Sequence, residues 1–235
     1  MKVRNAVAKA DGPKRKRSFH SANVAVIGLG RFGSSLALEL VASGHQVLGI
    51  DSDEKHVQTL AAELTHVVTA DTTEEDTLRE LGIQDMDSAV VAIGADLEAS
   101  ILTASLLLQL GVKQVWAKAN STSHGRILEQ LGVHHVIFPE KEMGRRVAHM
   151  VSGESLDYVH IDEDFVMVKT YVPEQFDGQT LAEAKIRANH GVTVVATSHG
   201  DGNYQPAFPE TLLTKGDQIV VAGRKGPLDI FCQLA

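Results

Sequence analysis

The chain has 235 residues, 43% of them hydrophobic, a formal net charge of −8 and one cysteine, Cys232. That length and apolar content suit one large or two modest domains, one cysteine excludes an internal disulfide and a cysteine-built metal site, and no apolar run approaches the roughly 20 residues that span a bilayer. The charge is uneven: residues 1–21 carry seven Lys/Arg against one Asp, leaving an acidic body with 15 basic and 29 acidic side chains that should repel nucleic acid.

The basic segment 1–21 contains the run Lys14, Arg15, Lys16, Arg17 and reads as a solvated, disordered tail, or as an arm that touches anionic lipid or a partner. No signal-peptide pattern is present, so a soluble, cytoplasmic protein is expected. From residue 22 onward, the β-branched runs NVAVIG, QVLGID, HVVTAD, AVVAIG, QVWAKA and HVIFPE predict six strands, separated by helical segments such as DEKHVQTLAAEL and ASILTASLLLQLG. Strands that are almost continuously apolar are buried on both faces, as in a parallel sheet with helices above and below. The expectation is an α/β, doubly wound, Rossmann-like N-lobe over residues 22–140. Gly44, Gly82, Gly111 and Gly132 fall where helices end in a left-handed cap. FPEKEMGRRVAHMVSG then predicts a connector helix over 141–153. FVMVKTYV, TLAEAKIRAN, VTVVATS and QIVVAGR predict a small α+β C-lobe over 154–235, too small for a full catalytic domain.

The stretch VAVIGLGRFGSSLALEL carries the chemistry. Gly28, Gly30 and Gly33 form G-x-G-x-x-G directly after a strand and at a helix start: the first allows the tight turn, the second lets backbone approach phosphate, the third lets the helix pack closely. Backbone N–H groups and the helix dipole there favour an anion. Asp51 closes the second strand 23 residues after Gly28, where its carboxylate can accept from ribose hydroxyls, and Asp71 ends the third strand on the adenine side. An acid at 51 without an adjacent arginine disfavours a 2′-phosphate, and so NADP. Arg31 projects into the phosphate region, where a guanidinium can pair with the terminal phosphate that ATP has and NAD lacks; a solvated or interface arginine is the alternative. Lys118 on the fifth strand offers a second cation, or is an edge lysine in water.

These segments, together with VLGIDSDEKHV, VVAIGADLEASILTASLLL, LEQLGVHHVIFPEKEMG and AKIRANHGVTVVAT, resemble the KTN or RCK family, cytosolic regulatory subunits of bacterial Ktr/Trk-type potassium uptake systems. The resemblance covers residues 22 to about 230. It implies a nucleotide-sensing subunit beneath a membrane potassium-translocating partner: a homodimer assembling into a ring, octameric in form, with ATP and ADP favouring different ring shapes and NAD(H) as a further possible ligand. Carried onto this sequence, it makes Gly28, Gly30, Arg31, Phe32 and Gly33 the phosphate loop and Asp51 the ribose acid, with Asp71, Thr72, Ile93, Gly94, Ala95 and Lys118 lining the pocket. Glu140, expected at the end of the sixth strand, matches a glutamate that holds a magnesium, calcium or sodium ion near ATP phosphates at the dimer interface; a structural carboxylate beside a helix N-cap is the alternative. Some relatives bind cyclic di-AMP in the C-lobe; Arg187 and Pro206 match that site, whereas Thr193 stands where those relatives have asparagine. The implied location is cytoplasmic, at the inner face of the cell membrane.

Two other classes compete. An NAD-dependent oxidoreductase needs a proton-transfer group and an orienting cation in a second domain, for which His160, His190, His199 and Arg187 are candidates on a lobe too small to close over a nicotinamide. An NADH redox sensor that binds DNA would have the basic tail as its only support. No enzymatic activity is expected.

Overall fold

A computed structural model describes residues 21–152, 155–200 and 202–235, so the basic segment, Ser21 apart, lies outside the described residues. The chain forms two compact units that divide between Phe138 and Pro139.

The first unit alternates strand and helix throughout: β1 (Asn23–Ile27), α1 (Arg31–Ala42), β2 (Gln46–Asp51), α2 (Glu54–Leu60), β3 (His66–Thr69), α3 (Glu75–Glu80), β4 (Ser88–Val91), α4 (Leu97–Gln109), β5 (Val115–Lys118), α5 (Thr122–Leu131) and β6 (His135–Ile137). The strands pair in parallel in the order β3-β2-β1-β4-β5-β6. Alternation along β1 sends Ala25 and Ile27 into one core, with Ile50, Leu107 and Leu128, and Val24 and Val26 into another, with Val47, Leu60 and Leu64. Both faces are therefore dry, which is why these strands are nearly all apolar. The order reverses between β1 and β4, and the carboxyl ends of the strands at such a reversal are where ligands of doubly wound sheets bind.

Helix ends follow local chemistry. Asp53, Asp96 and Ser121 cap α2, α4 and α5 by accepting from the N–H groups of Lys55, Ala99 and His124. Gly44, Gly82, Gly111 and Gly132 all take positive φ, as their positions after helices require.

The second unit opens with α6 (Pro139–Val151), followed by β7 (Asp157–His160), β8 (Phe165–Tyr171), α7 (Leu181–Ala184), α8 (Ile186–His190), β9 (Val192–Ser198), β10 (Gln205–Pro206), β11 (Gln218–Arg224) and α9 (Lys225–Cys232). Its strands form an antiparallel sheet in the order β10-β9-β11-β8-β7. Val166, Val168, Ile219 and Val221 bury their side chains against Ile186, Leu228 and Phe231; Cys232 is buried in this same cluster. The helix read from residue 141 begins two residues earlier, because Pro139 suits a first helical turn, where its missing N–H costs nothing. Glu140 thus stands in the first turn of α6 and not at a strand end. No helix among the described residues is long and apolar enough to cross a membrane.

Candidate functional site

The glycine turn after β1 is pressed against the end of β4. Gly28 has φ +91°, and a Cβ placed on it would lie 2.9 Å from the backbone of Ala92 and Ile93. A Cβ on Gly33 would lie 1.8 Å from the Gly28 carbonyl oxygen, so only glycine lets α1 start directly on the turn. Gly30 differs: nothing lies within 4 Å of where its Cβ would be, and it is the N-cap of α1 with no side chain bonding to the helix end. The open first-turn amides of α1 and its dipole form a seat for an anion.

Asp51 ties this turn to the next strand. Its Oδ2 accepts from the Leu29 N–H at 2.6 Å and its Oδ1 from the Asp53 N–H at 2.8 Å. A further partner, His56, brings Nδ1 to 3.1 Å from Oδ2 out of the first turn of α2. The sequence reading passed over His56, although the spacing Asp51, Asp53, His56 places a ring one helical turn beyond a capped start. Gly28 itself donates to the Ile50 carbonyl at 2.8 Å.

The remaining predicted residues divide. Arg31 is exposed at the start of α1 and Phe32 follows it, half-buried, with the Lys118 ammonium 6.0 Å from its ring centroid. Lys118 is not an edge lysine: β5 is an interior strand, and Lys118 is buried at its carboxyl end beside Gly94. Ile93, Gly94 and Ala95 form the loop after β4, and Asn120, another residue the sequence reading missed, fastens that loop by donating its side-chain N–H to the Gly94 carbonyl. Asp71 lies two residues beyond β3, so it does not end that strand; the hydroxyl and N–H of Thr73 bond its carboxylate and hold it below the usual carboxylate range. Thr72 is buried, and its hydroxyl pairs with the Thr103 hydroxyl of α4 at 2.9 Å. That hydroxyl is committed to joining loop and helix.

In the second unit Glu140 is exposed. Among the described residues no group of three or more His, Cys, Asp or Glu could hold a metal, so Glu140 supplies one carboxylate where a hard cation takes six or more oxygens. Arg187 is exposed on α8, Thr193 points outward from β9 and Pro206 lies on β10, opposite Ala196 and about three residues along from Thr193. The histidines considered for proton transfer have other roles: His190 packs edge-on against Phe176 and Phe231, and His199 Nδ1 lies 2.6 Å from the Asp217 carboxylate. His160 is exposed, with its ring tilted against Tyr158.

Comparison with known proteins agrees with this architecture. Residues 24–139 match the TrkA-N domain and residues 165–234 the TrkA-C domain. The Ktr system potassium uptake protein A of Bacillus subtilis is 38% identical over 209 residues, which cover 88% of this chain and 94% of that protein. Protein C of the same organism is 36% identical over 85% of this chain and 90% of its own length, and protein A of Vibrio alginolyticus is 37% identical over 87% and 93%. The crystal structure of the GsuK RCK domain superposes with a TM-score of 0.65 at 18% identity, covering 92% of this chain and 48% of that one, a likeness of fold. A parallel sheet with a glycine turn and an acid at its switch point, followed by a small antiparallel unit, defines a TrkA-N/TrkA-C protein of the RCK class. Within that class, the chain belongs to the KTN/RCK family of Ktr-type potassium uptake regulatory proteins, which are not enzymes.

Proposed function

We propose that this chain is the nucleotide-sensing regulatory subunit of a potassium-translocating membrane protein, held at the inner face of the cell membrane through that partner. The observation that carries the nucleotide is the uncapped start of α1 at Gly30, beside a turn whose Leu29 amide is bonded to Asp51. A phosphate at the helix end and a ribose at Asp51 use the donors and acceptor that the crevice offers, and the adenine then lies toward the loop carrying Asp71.

ATP and ADP share every contact but those of the third phosphate. Arg31, exposed in the first turn of α1, is the group suited to that phosphate, with Lys118 as a second cation. A ligand shifts a conformational equilibrium only by its differential affinity for the two states, so these contacts are the source of any ATP-over-ADP effect on ring shape. A coupling of about 1–3 kcal/mol is typical of such switches. The relatives named above are proteins of potassium uptake systems, which supports the membrane partner, and a homodimer built into an octameric ring is the assembly we assign. A magnesium, calcium or sodium ion held by the exposed Glu140 carboxylate would complete its shell with phosphate oxygens of ATP and water.

Calorimetry tests the pocket. Asp51→Ala is expected to weaken ATP and ADP alike, by tenfold or so, whereas Arg31→Ala weakens ATP more than ADP. Equal losses for both nucleotides in Arg31→Ala would remove the third-phosphate role. NADH measured alongside, with a panel of 2-oxo acids, is expected to show no turnover; steady consumption would overturn the regulatory reading.

A further inference from the structure

We propose that His56 is a specificity-determining latch on Asp51: its imidazole holds a carboxylate position that a ribose hydroxyl must take, so nucleotide binding proceeds by displacing the ring. The inference rests on Asp51 being the ribose acid, and it follows from counting acceptor sites.

A carboxylate has about four lone-pair positions, two on each oxygen. Oδ2 of Asp51 is filled by the Leu29 N–H at 2.6 Å and by His56 Nδ1 at 3.1 Å, and Oδ1 takes the Asp53 N–H at 2.8 Å. One position remains, on Oδ1. A ribose presents two O–H donors, so only one of them can bond while the other three partners stay.

Those partners are not equally movable. Leu29 is buried at 2% exposure in the turn, and the Asp53 amide belongs to the N-cap of α2, whose side chain accepts from Lys55. Releasing either means unmaking the turn or the helix start. The His56 side chain is 47% exposed against 11% for Asp51, and rotating the ring into water leaves the backbone as it is. His56 Nδ1 carries a proton in this contact, because an ionised carboxylate only accepts. On its own helix the charged neighbours in sequence, Glu54 and Lys55, stand two and one residues before it and so off its face, Glu54 accepting from Gln58; on β3, His66 pairs with Leu48 and lies at the end of the sheet away from Asp51. The Asp51 carboxylate is the ring's hydrogen-bond partner among the described residues, and the ribose competes for it directly.

The test separates a latch from a merely structural histidine by using ligands with and without the cis-diol. ADP and 2′,3′-dideoxy-ADP are titrated into the full chain and into His56→Ala, His56→Leu, His56→Gln and Asp51→Asn. Removing the ring is expected to tighten ADP about two- to fivefold, the size of an exposed hydrogen-bonded pair, and to leave dideoxy-ADP unchanged. The affinity ratio of ADP to dideoxy-ADP therefore rises in His56→Ala and His56→Leu, while His56→Gln, which keeps a donor, stays near the parent. A ratio unchanged in both apolar variants, or equal changes for the two ligands, overturns the latch. Asp51→Asn answers a separate question: its ratio is expected to fall toward one, and a ratio that stays at the parent value removes Asp51 as the ribose acid whatever His56 does. Absence of binding by either ligand to the parent chain overturns the nucleotide reading, and the latch with it.

Discussion

His124 shows how much one buried ring can carry. It is 1% exposed in the first turn of α5, its Nδ1 accepts from the Asn120 N–H at 3.3 Å, its Nε2 has no partner, and burial pushes its pKa below the ordinary 6.5. The folded chain therefore holds it neutral while the unfolded chain takes up a proton as pH falls. Stability is fully present above 6.5 and is lost as pH drops from there toward the lower folded value, by at most about 1.4 kcal/mol per pH unit for one proton. His160 acts in the same direction, through burial and then the charges of Lys225, Arg145 and His149, more weakly because it is exposed. Urea denaturation between pH 7.5 and 5.5 is expected to show this loss, and His124→Leu to flatten it; an unchanged slope in that variant would assign the pH dependence elsewhere. Legibility differs residue by residue. Gly28, Gly33 and Asp51 could be read from the sequence because the turn needs positive φ, the helix start needs an absent Cβ and a strand end fixes where a carboxylate sits. His56 and Asn120 escaped notice because their partners, Asp51 and Gly94, are set by how loops return in space. Thr72 was read as lining the pocket, yet its hydroxyl faces Thr103, a choice of side that a loop residue's sequence neighbours do not encode.

Among the elements, α6 is held to β7 by few but directional contacts. Arg146 donates twice to Asp157, at 2.7 Å from both nitrogens, and the His149 ring stacks on Tyr158 with centroids 3.8 Å apart. The guanidinium keeps the Asp157 carboxyl below its ordinary range, so this pairing persists to lower pH than an unpaired carboxylate would allow. Removing the charge with Asp157→Asn is expected to speed hydrogen exchange of the α6 amides while leaving those of β8 and β11 protected. Uniform exchange in both proteins would show that the helix is held by packing alone. The parallel strands were legible because burial on both faces demands unbroken β-branched runs. The second unit was less so. DYVH is too short and polar to alternate, and QP is a two-residue strand fixed only by its neighbour. KGPLDIFC opens with Gly and Pro like a turn but forms α9, and TLAEAKIRAN has one helical pattern broken by Lys185 at φ 48°.

For the whole molecule, α6 presents Met143, Val147 and Met150 on one exposed stripe, spaced at three and four residues. Apolar side chains in that spacing are suited to a facing copy, in keeping with the homodimer proposed above. Light scattering at micromolar concentration is expected to give about eight times the 25.3 kDa of one chain. Val147→Glu is expected to reduce that mass, and a monomer in the parent protein would overturn the ring. The antiparallel sheet of the second unit also limits how copies can join. Its outer strand β10 is two residues long and contains Pro206, which has no N–H to offer, while Ala207 turns its own N–H back to Val195. An incoming strand would find too few donors along that margin to add itself. Any copy brought to that margin can engage it through side chains but not by extending the sheet across the boundary, so crowded units do not seed a continuous cross-β ribbon there.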